Sequence, residues 1–120
     1  MAGHERLQVY EKSYSLVIEV YSVTQKFPRE EIYGLTSQIR RASASIPLNI
    51  AEGYAKRESQ AEFKRYLMMA SGSNAEVNVL LDLTKDLGYI SQAEYSKLKN
   101  AYAEVGKMVN KFLQSVNERI

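Results

Sequence analysis

The stretch QIRRASASIPLNIAEGYAKR, residues 38–57, decides how this chain is read. Its flanks have helical periodicity, yet it holds Pro47, paired arginines at Arg40 and Arg41, and a row of small residues at Ala42, Ser43, Ala44, Ser45 and Ala51. A proline inside a helix cannot donate its backbone bond, and its ring crowds the carbonyl four residues back, here that of Ser43. The helix must therefore bend or stop. If it stopped, Ile46 would have to cap a new helix, and isoleucine is a poor cap. A continuous helix kinked at Pro47 is the expectation, with Ser43 or water satisfying the freed carbonyl.

The sides of this helix matter more for function. Ile39, Ile46, Ile50 and Gly53 form one stripe. Leu35, Ala42 and Asn49 form a second beside it, with Gln38, Ser45 and Glu52 at its edge. Ala44, Leu48, Ala51 and Ala55 point elsewhere again. A helix that is small or apolar on nearly every side is not the one-faced helix of a lone bundle. Either it is the most buried helix of one chain or its outer side meets another subunit. The subunit contact is the expectation, with Ala44, Pro47, Leu48 and Ala51 as the packing residues. Gly72, in MMASGSNAE (68–76), joins them. Small side chains there would let the third helix approach the second closely, offsetting the ~1 kcal/mol that a helical glycine costs relative to alanine.

The other helices show a period near 3.5. One stripe runs through Tyr10, Tyr14, Val17, Tyr21 and Thr24, and another through Phe63, Leu67, Ala70, Val77, Leu81, Thr84 and Leu87. A third runs through Tyr95, Leu98, Tyr102, Val105, Val109, Phe112 and Val116. The tetrapeptide SQAE occurs at 59–62 and 91–94, each time as a capping box in which serine and glutamate satisfy each other's amides. Ile90 can staple onto Tyr95, and Gly88 suits the left-handed turn that closes the preceding helix. Pro28 separates the first two helices, and Glu30 and Glu31 favour the start of the second. The expected helices are 8–26, 30–57, 60–87 and 92–118. Short loops make antiparallel neighbours, so the fold class is all-α, an up-down-up-down antiparallel four-helix bundle in a single domain over residues 1–120.

Composition narrows the chemistry. With 45% hydrophobic and 25% charged residues the chain reads as globular. It has no cysteine, so thiolate and disulfide chemistry are absent. Its apolar runs are far shorter than the roughly 20 residues that span a bilayer, and no signal-peptide pattern is read, which points to the cytoplasm and no membrane. His4 is the single histidine. That removes the Glu-x-x-His pairs of a di-iron bundle and the bases of serine-histidine or arginine-histidine hydrolases. No catalytic, metal or cofactor residues are assigned. Glu19, Glu52 and Glu76 have the chemistry to converge inside, but a buried Glu52 beside Asn49 and Gln38 reads more simply as a polar network fixing register.

Charge is uneven. Residues 40–65 hold six cations, Arg40, Arg41, Lys56, Arg57, Lys64 and Arg65, against Glu52, Glu58 and Glu62, while the rest of the chain is near balance. These six are the candidate nucleic-acid contacts, set against the plainer reading of a solvated face. The pole near residue 58 would also gather Arg6, Lys12, Lys111 and Arg119, against Glu5, Glu11 and Glu118. The nine tyrosines have the faces to stack bases, but most lie on the stripes above, leaving Tyr54, beside Lys56 and Arg57, as the best candidate for exposure.

YGLTSQIRRASASIPLNIAEGYAKRES followed by FKRYLMMASGSNAEVNVLLDLTKDLGYIS resembles the four-helix-bundle proteins named for 23S rRNA intervening sequences. The opening LQVYEKSYSLVIEVYSVTQKFPREE fits that family's first helix, so the resemblance runs from about residue 7 into the last helix. The pattern falls on Gln38, Arg40, Arg41, Ser45, Pro47, Asn49, Glu52 and Gly53, then Gly72, Ser73 and Glu76. The family is similar to the accessory variability proteins of diversity-generating retroelements. That likeness implies a homo-oligomeric ring, of five subunits in those proteins, and partners that are nucleic acid and a reverse transcriptase. No enzymatic activity is attached to the fold. The expectation is a non-enzymatic, self-assembling bundle that binds structured RNA, the alternative being a protein adaptor or scaffold that binds none.

Overall fold

Caps and turns decide where each helix begins and ends. The computed structural model describes residues 3, 4 and 7–117. Four helices, α1 (Gln8–Thr24), α2 (Leu35–Ala55), α3 (Gln60–Asp86) and α4 (Gln92–Asn117), form an all-α bundle, with a 3-10 turn at Arg29–Glu31. The expected end of α4 at residue 118 lies outside the described residues.

At the start of α4 the capping box is complete. The Glu94 amide donates to the Ser91 hydroxyl at 3.1 Å, and the Glu94 carboxylate accepts from the Ser91 amide at 2.9 Å. At the start of α3 only half of it forms. The Glu62 amide reaches Ser59 at 3.2 Å, but the Glu62 carboxylate is drawn forward by Arg65. Between α3 and α4, Gly88 has φ +80°, and Tyr89 and Gly88 donate back to the carbonyls of Thr84 and Lys85. This is a Schellman closure, which a side chain at Gly88 would strain.

The second helix starts later than its sequence suggests. Pro28 opens only the short 3-10 turn, and Gly34, at φ −110° and ψ −116°, interrupts the chain before α2. The cap then comes from upstream, the Leu35 amide donating to Glu31 Oε1 at 3.1 Å. The other Glu31 oxygen accepts from the Tyr89 hydroxyl at 2.8 Å, tying the start of α2 to the α3–α4 turn. Farther on, α2 passes through Pro47 without a break. The Ser43 hydroxyl, expected to serve its own freed carbonyl, instead donates to that of Arg40 at 3.0 Å.

α1 packs on α2, α2 on α3, α3 on α4 and α4 back on α1. The pairs Lys12–Glu104, Glu19–Lys97 and Lys26–Glu94 rise along α1 and its end as they fall along α4, so these two helices run antiparallel. Between α3 and α4, Asn74 Nδ2 donates to the Tyr102 carbonyl at 3.1 Å and Tyr95 to Asp82 at 2.6 Å. These pairs also run in opposite order. The core gathers Ile39, Ile46 and Ile50 from α2, Phe63, Leu67, Ala70, Val77 and Leu81 from α3, and Leu98, Tyr102, Val105, Val109 and Val116 from α4. The stripes read for α3 and α4 face inward, with Tyr95 and Phe112 half-buried and Leu87, just past the end of α3, exposed.

α1 turns a different stripe inward. Val9, Ser13, Leu16, Val20 and Thr24 are buried, whereas Tyr14 and Tyr21 are exposed. The inner row tolerates its polar members because Ser13 donates to the Tyr10 carbonyl at 3.2 Å and Thr24 to that of Val20 at 2.7 Å. A tyrosine turned inward would have to desolvate its hydroxyl, which costs free energy unless a partner is found.

Gly72 also departs from expectation. A Cβ placed there would meet nothing within 4 Å, so Gly72 mediates no close approach within the chain. That role falls to Gly53, where a Cβ would lie 2.8 Å from Tyr66 Cβ and 3.3 Å from Phe63 Cδ1. Gly53→Ala is expected to destabilise the fold by about 1–3 kcal/mol through overpacking. Gly72→Ala, on an open helix face, is expected to stabilise the dissociated chain by about 0.5–1 kcal/mol. Urea unfolding followed by far-UV circular dichroism separates the two, and equal effects would refute this assignment.

Candidate functional site

Two features of the outer surface stand apart. The first is an apolar groove of about 560 Å³ between α1 and α2. Its α1 wall is Tyr10, Tyr14, Val17, Ile18 and Tyr21, and its α2 wall is Ala44, Pro47, Leu48 and Ala51, with His4 at one end. The groove exists because α2 points Ile46 and Ile50 inward, at 0% exposure, and so must turn Leu48 outward, at 62%. Ala44 and Ala51 lie one turn to either side and are too small to fill the space beside it. Ile18 faces them at 61% exposure. The four α2 residues read as packing residues thus line one groove, with Leu48 exposed, Ala44 and Ala51 half-buried and Pro47 buried, and nothing in the described chain lies over it.

The α1 wall was legible only in part: the stripe that carries Tyr14 and Tyr21 suits either a core or an interface, and Ile18 sits on no stripe. The available signal was that α1 carries two adjacent apolar rows, 9/13/16/20 and 10/14/17/21, and a single bundle needs only one. α3 carries a further exposed apolar row, with Met68, Met69, Val79 and Leu83 on either side of Gly72.

The second feature is the pole where α2 turns into α3. Lys56 Nζ donates to the Tyr66 hydroxyl at 3.0 Å and lies 4.8 Å from the ring centre. That hydrogen bond and the partial charge of the phenol raise the Lys56 pKa above its ordinary value. Arg57 covers the Tyr54 ring at 4.1 Å and donates to the Tyr54 carbonyl at 2.9 Å. Arg65 lies 4.6 Å from the Tyr66 ring and clasps Glu62 through Nε at 3.1 Å and Nη2 at 3.2 Å. This clasp raises the Arg65 pKa and lowers that of Glu62. Lys64 is exposed on the same turn. Lys56 and Arg65 therefore stay charged through neutral pH, and Arg65 is neutralised by its own chain.

The six expected cations do not form one patch. Lys56, just past the end of α2, is fifteen residues from Arg41, about 22 Å at 1.5 Å per residue. Arg40 is occupied inside the bundle surface, its Nε donating to Thr24 Oγ1 at 2.8 Å and its guanidinium lying over Tyr21 at 4.5 Å. Lys12 pairs with Glu104. Glu5, Arg6, Glu118 and Arg119 lie outside the described residues.

Other candidates resolve plainly. Tyr54, expected to be exposed, is half-buried against Phe63 and covered by Arg57. Glu19, Glu52 and Glu76 do not converge: Glu19 pairs with Lys97 on the outside, and Glu52 and Glu76 are exposed. The buried network proposed around Glu52 is therefore absent, and Gln38 is exposed too. Among the described residues no three His, Cys, Asp or Glu side chains gather as a metal site would require. No described helix is long and apolar enough to cross a membrane.

Comparison with known proteins places this arrangement. The family model described as 23S rRNA-intervening sequence protein matches residues 5–111. A crystal structure of a protein with unknown function from the S23 ribosomal protein family of Bacteroides thetaiotaomicron superposes with a TM-score of 0.80. It is 24% identical, and the match covers 88% of this chain and 95% of that one, a likeness of fold. No curated protein matches the chain.

Proposed function

The chain belongs to the 23S rRNA-intervening sequence protein family, and on that footing we propose that it is a non-enzymatic, self-assembling helical module of the cytoplasm that presents structured RNA with its basic pole. One observation carries the assembly: Leu48, Ile18 and Tyr14 expose a continuous apolar face along a groove that the chain itself leaves open. Contiguous apolar patches of this kind mark interaction sites on soluble proteins. The exposed row on α3 supplies a second, different face. Joining the groove of one copy to the α3 row of the next makes a head-to-tail contact, which closes into a ring when the rotation fits. The sequence resemblance implies five copies. Each copy would add Lys56, Arg57 and Lys64 to a repeated array of phosphate contacts, so a modest charge per chain is multiplied.

The second reading is a protein adaptor, and the Glu62–Arg65 clasp favours it by removing one cation from the pole. Here the groove takes an amphipathic helix of another protein, for which the resemblance suggests a reverse transcriptase.

Size-exclusion chromatography with light scattering is expected to show an oligomer, and Leu48→Glu a monomer of unchanged helix content. A monomeric parent protein overturns the assembly reading. In fluorescence anisotropy, RNA affinity is expected to fall steeply with salt, and Arg57→Glu with Lys64→Glu to weaken binding to all sequences alike. Glu62→Gln frees Arg65 and is expected to steepen the log–log salt dependence by about 0.7–0.9 for each phosphate gained. Binding that ignores salt defeats the RNA reading, and nuclease-resistant copurification of a protein partner favours the adaptor.

A further inference from the structure

We infer that the basic pole holds RNA by its phosphate backbone in base-paired form and offers unpaired bases nothing to stack on. The inference rests on the RNA reading above and specifies which RNA it takes. Proteins that capture single strands stack bases on uncovered aromatic faces, whereas paired RNA is held by its shape, its phosphates and its 2′-hydroxyls. The pole has aromatic rings at the right place, but its own cations already occupy them. Arg57 lies 4.1 Å from the centre of the Tyr54 ring. Lys56 and Arg65 lie 4.8 Å and 4.6 Å from the centre of Tyr66, which is 8% exposed. The Tyr66 hydroxyl, the polar handle a base would use, accepts from Lys56. The Tyr54 ring packs nearly perpendicular to that of Phe63, which is buried. A base entering here would have to displace a guanidinium or an ammonium from a ring, losing a phosphate contact to gain a stack. A phosphate needs no such exchange, since the outer sides of Lys56 and Arg57 and the free end of Lys64 face solvent.

The tyrosine with the barest ring, Tyr33 at 95% exposure, precedes α2 and so sits the length of that helix away from the pole. That is about 32 Å for 21 residues at 1.5 Å per residue. It cannot serve the same nucleotides as Lys56 and Arg57.

The test is fluorescence anisotropy at low salt with two labelled probes of equal phosphate number, a perfectly paired RNA hairpin and an unstructured RNA strand. The hairpin is expected to bind about five- to tenfold tighter because of its higher phosphate density, and changing its base pairs is expected to move the affinity less than about twofold. Tighter binding of the unpaired strand, or a preference between purine and pyrimidine strands beyond about fivefold, overturns the inference while leaving RNA binding intact. Absence of binding to both probes overturns the RNA reading itself. Arg57→Gln bares the Tyr54 ring, so the gap between hairpin and strand is expected to narrow. A gap that holds or widens shows that ring occupancy is not the cause.

Discussion

At Gly53 the backbone of α2 lies against α3 so closely that one added carbon would sit 2.8 Å from the Tyr66 Cβ. This contact sets the rotation of α2 about its own axis. With Gly53 pressed on Phe63 and Tyr66, the residues on its stripe, Ile39, Ile46 and Ile50, must face the core. Leu48, with Ala44 and Ala51 a turn to either side, must then face away. The same contact brings Lys56, three residues on, to the hydroxyl of Tyr66. The groove and the charged pole are two outcomes of a single helix orientation, and a side chain at residue 53 would disturb both.

The surface so produced is divided by chemistry. Along the middle of α1 and α2 it is apolar, with tyrosines whose hydroxyls keep contact with water while their rings shape the groove. At the α2–α3 turn it is cationic, but three of its cations are braced: Lys56 by Tyr66, Arg57 by Tyr54, Arg65 by Glu62. Bracing lowers the side-chain entropy lost on binding, which otherwise weighs on long, mobile arginine and lysine side chains. It also limits how much of the formal charge is on offer.

Much of this was legible in the chain. The α3 and α4 stripes, both serine caps, the left-handed Gly88 turn and the outward face of Leu48 follow from local pattern, because in each case one physical signal dominates. On α1 two apolar rows compete, and period alone does not say which is core and which is interface. The choice was made by serine and threonine bonding to their own helix and by the cost of burying tyrosine hydroxyls. The start of α2 was placed too early because Glu30 and Glu31 resemble a first turn, whereas Gly34 breaks the helix and Glu31 caps it from outside. Gly72 was expected to admit α2 because small residues look alike whether they admit a neighbouring helix or merely lie on an open face. The pairing of cations with Tyr54, Tyr66 and Glu62 depends on side-chain direction across two helices, which spacing within one helix does not contain.

The link from Tyr89 through Glu31 to the Leu35 amide has a consequence for where this molecule tolerates change. Together with Lys26 and Glu94, it stitches two loops distant in sequence into one end of the molecule. Lengthening either loop would pull the carboxylate of Glu31 or Glu94 from its partner and unravel a helix start elsewhere. Among the described residues the opposite end has only the Gln60 amide donating to the Val116 carbonyl near its α2–α3 loop and no loop-to-loop tie, so a grafted peptide or an inserted domain belongs there, around Glu58.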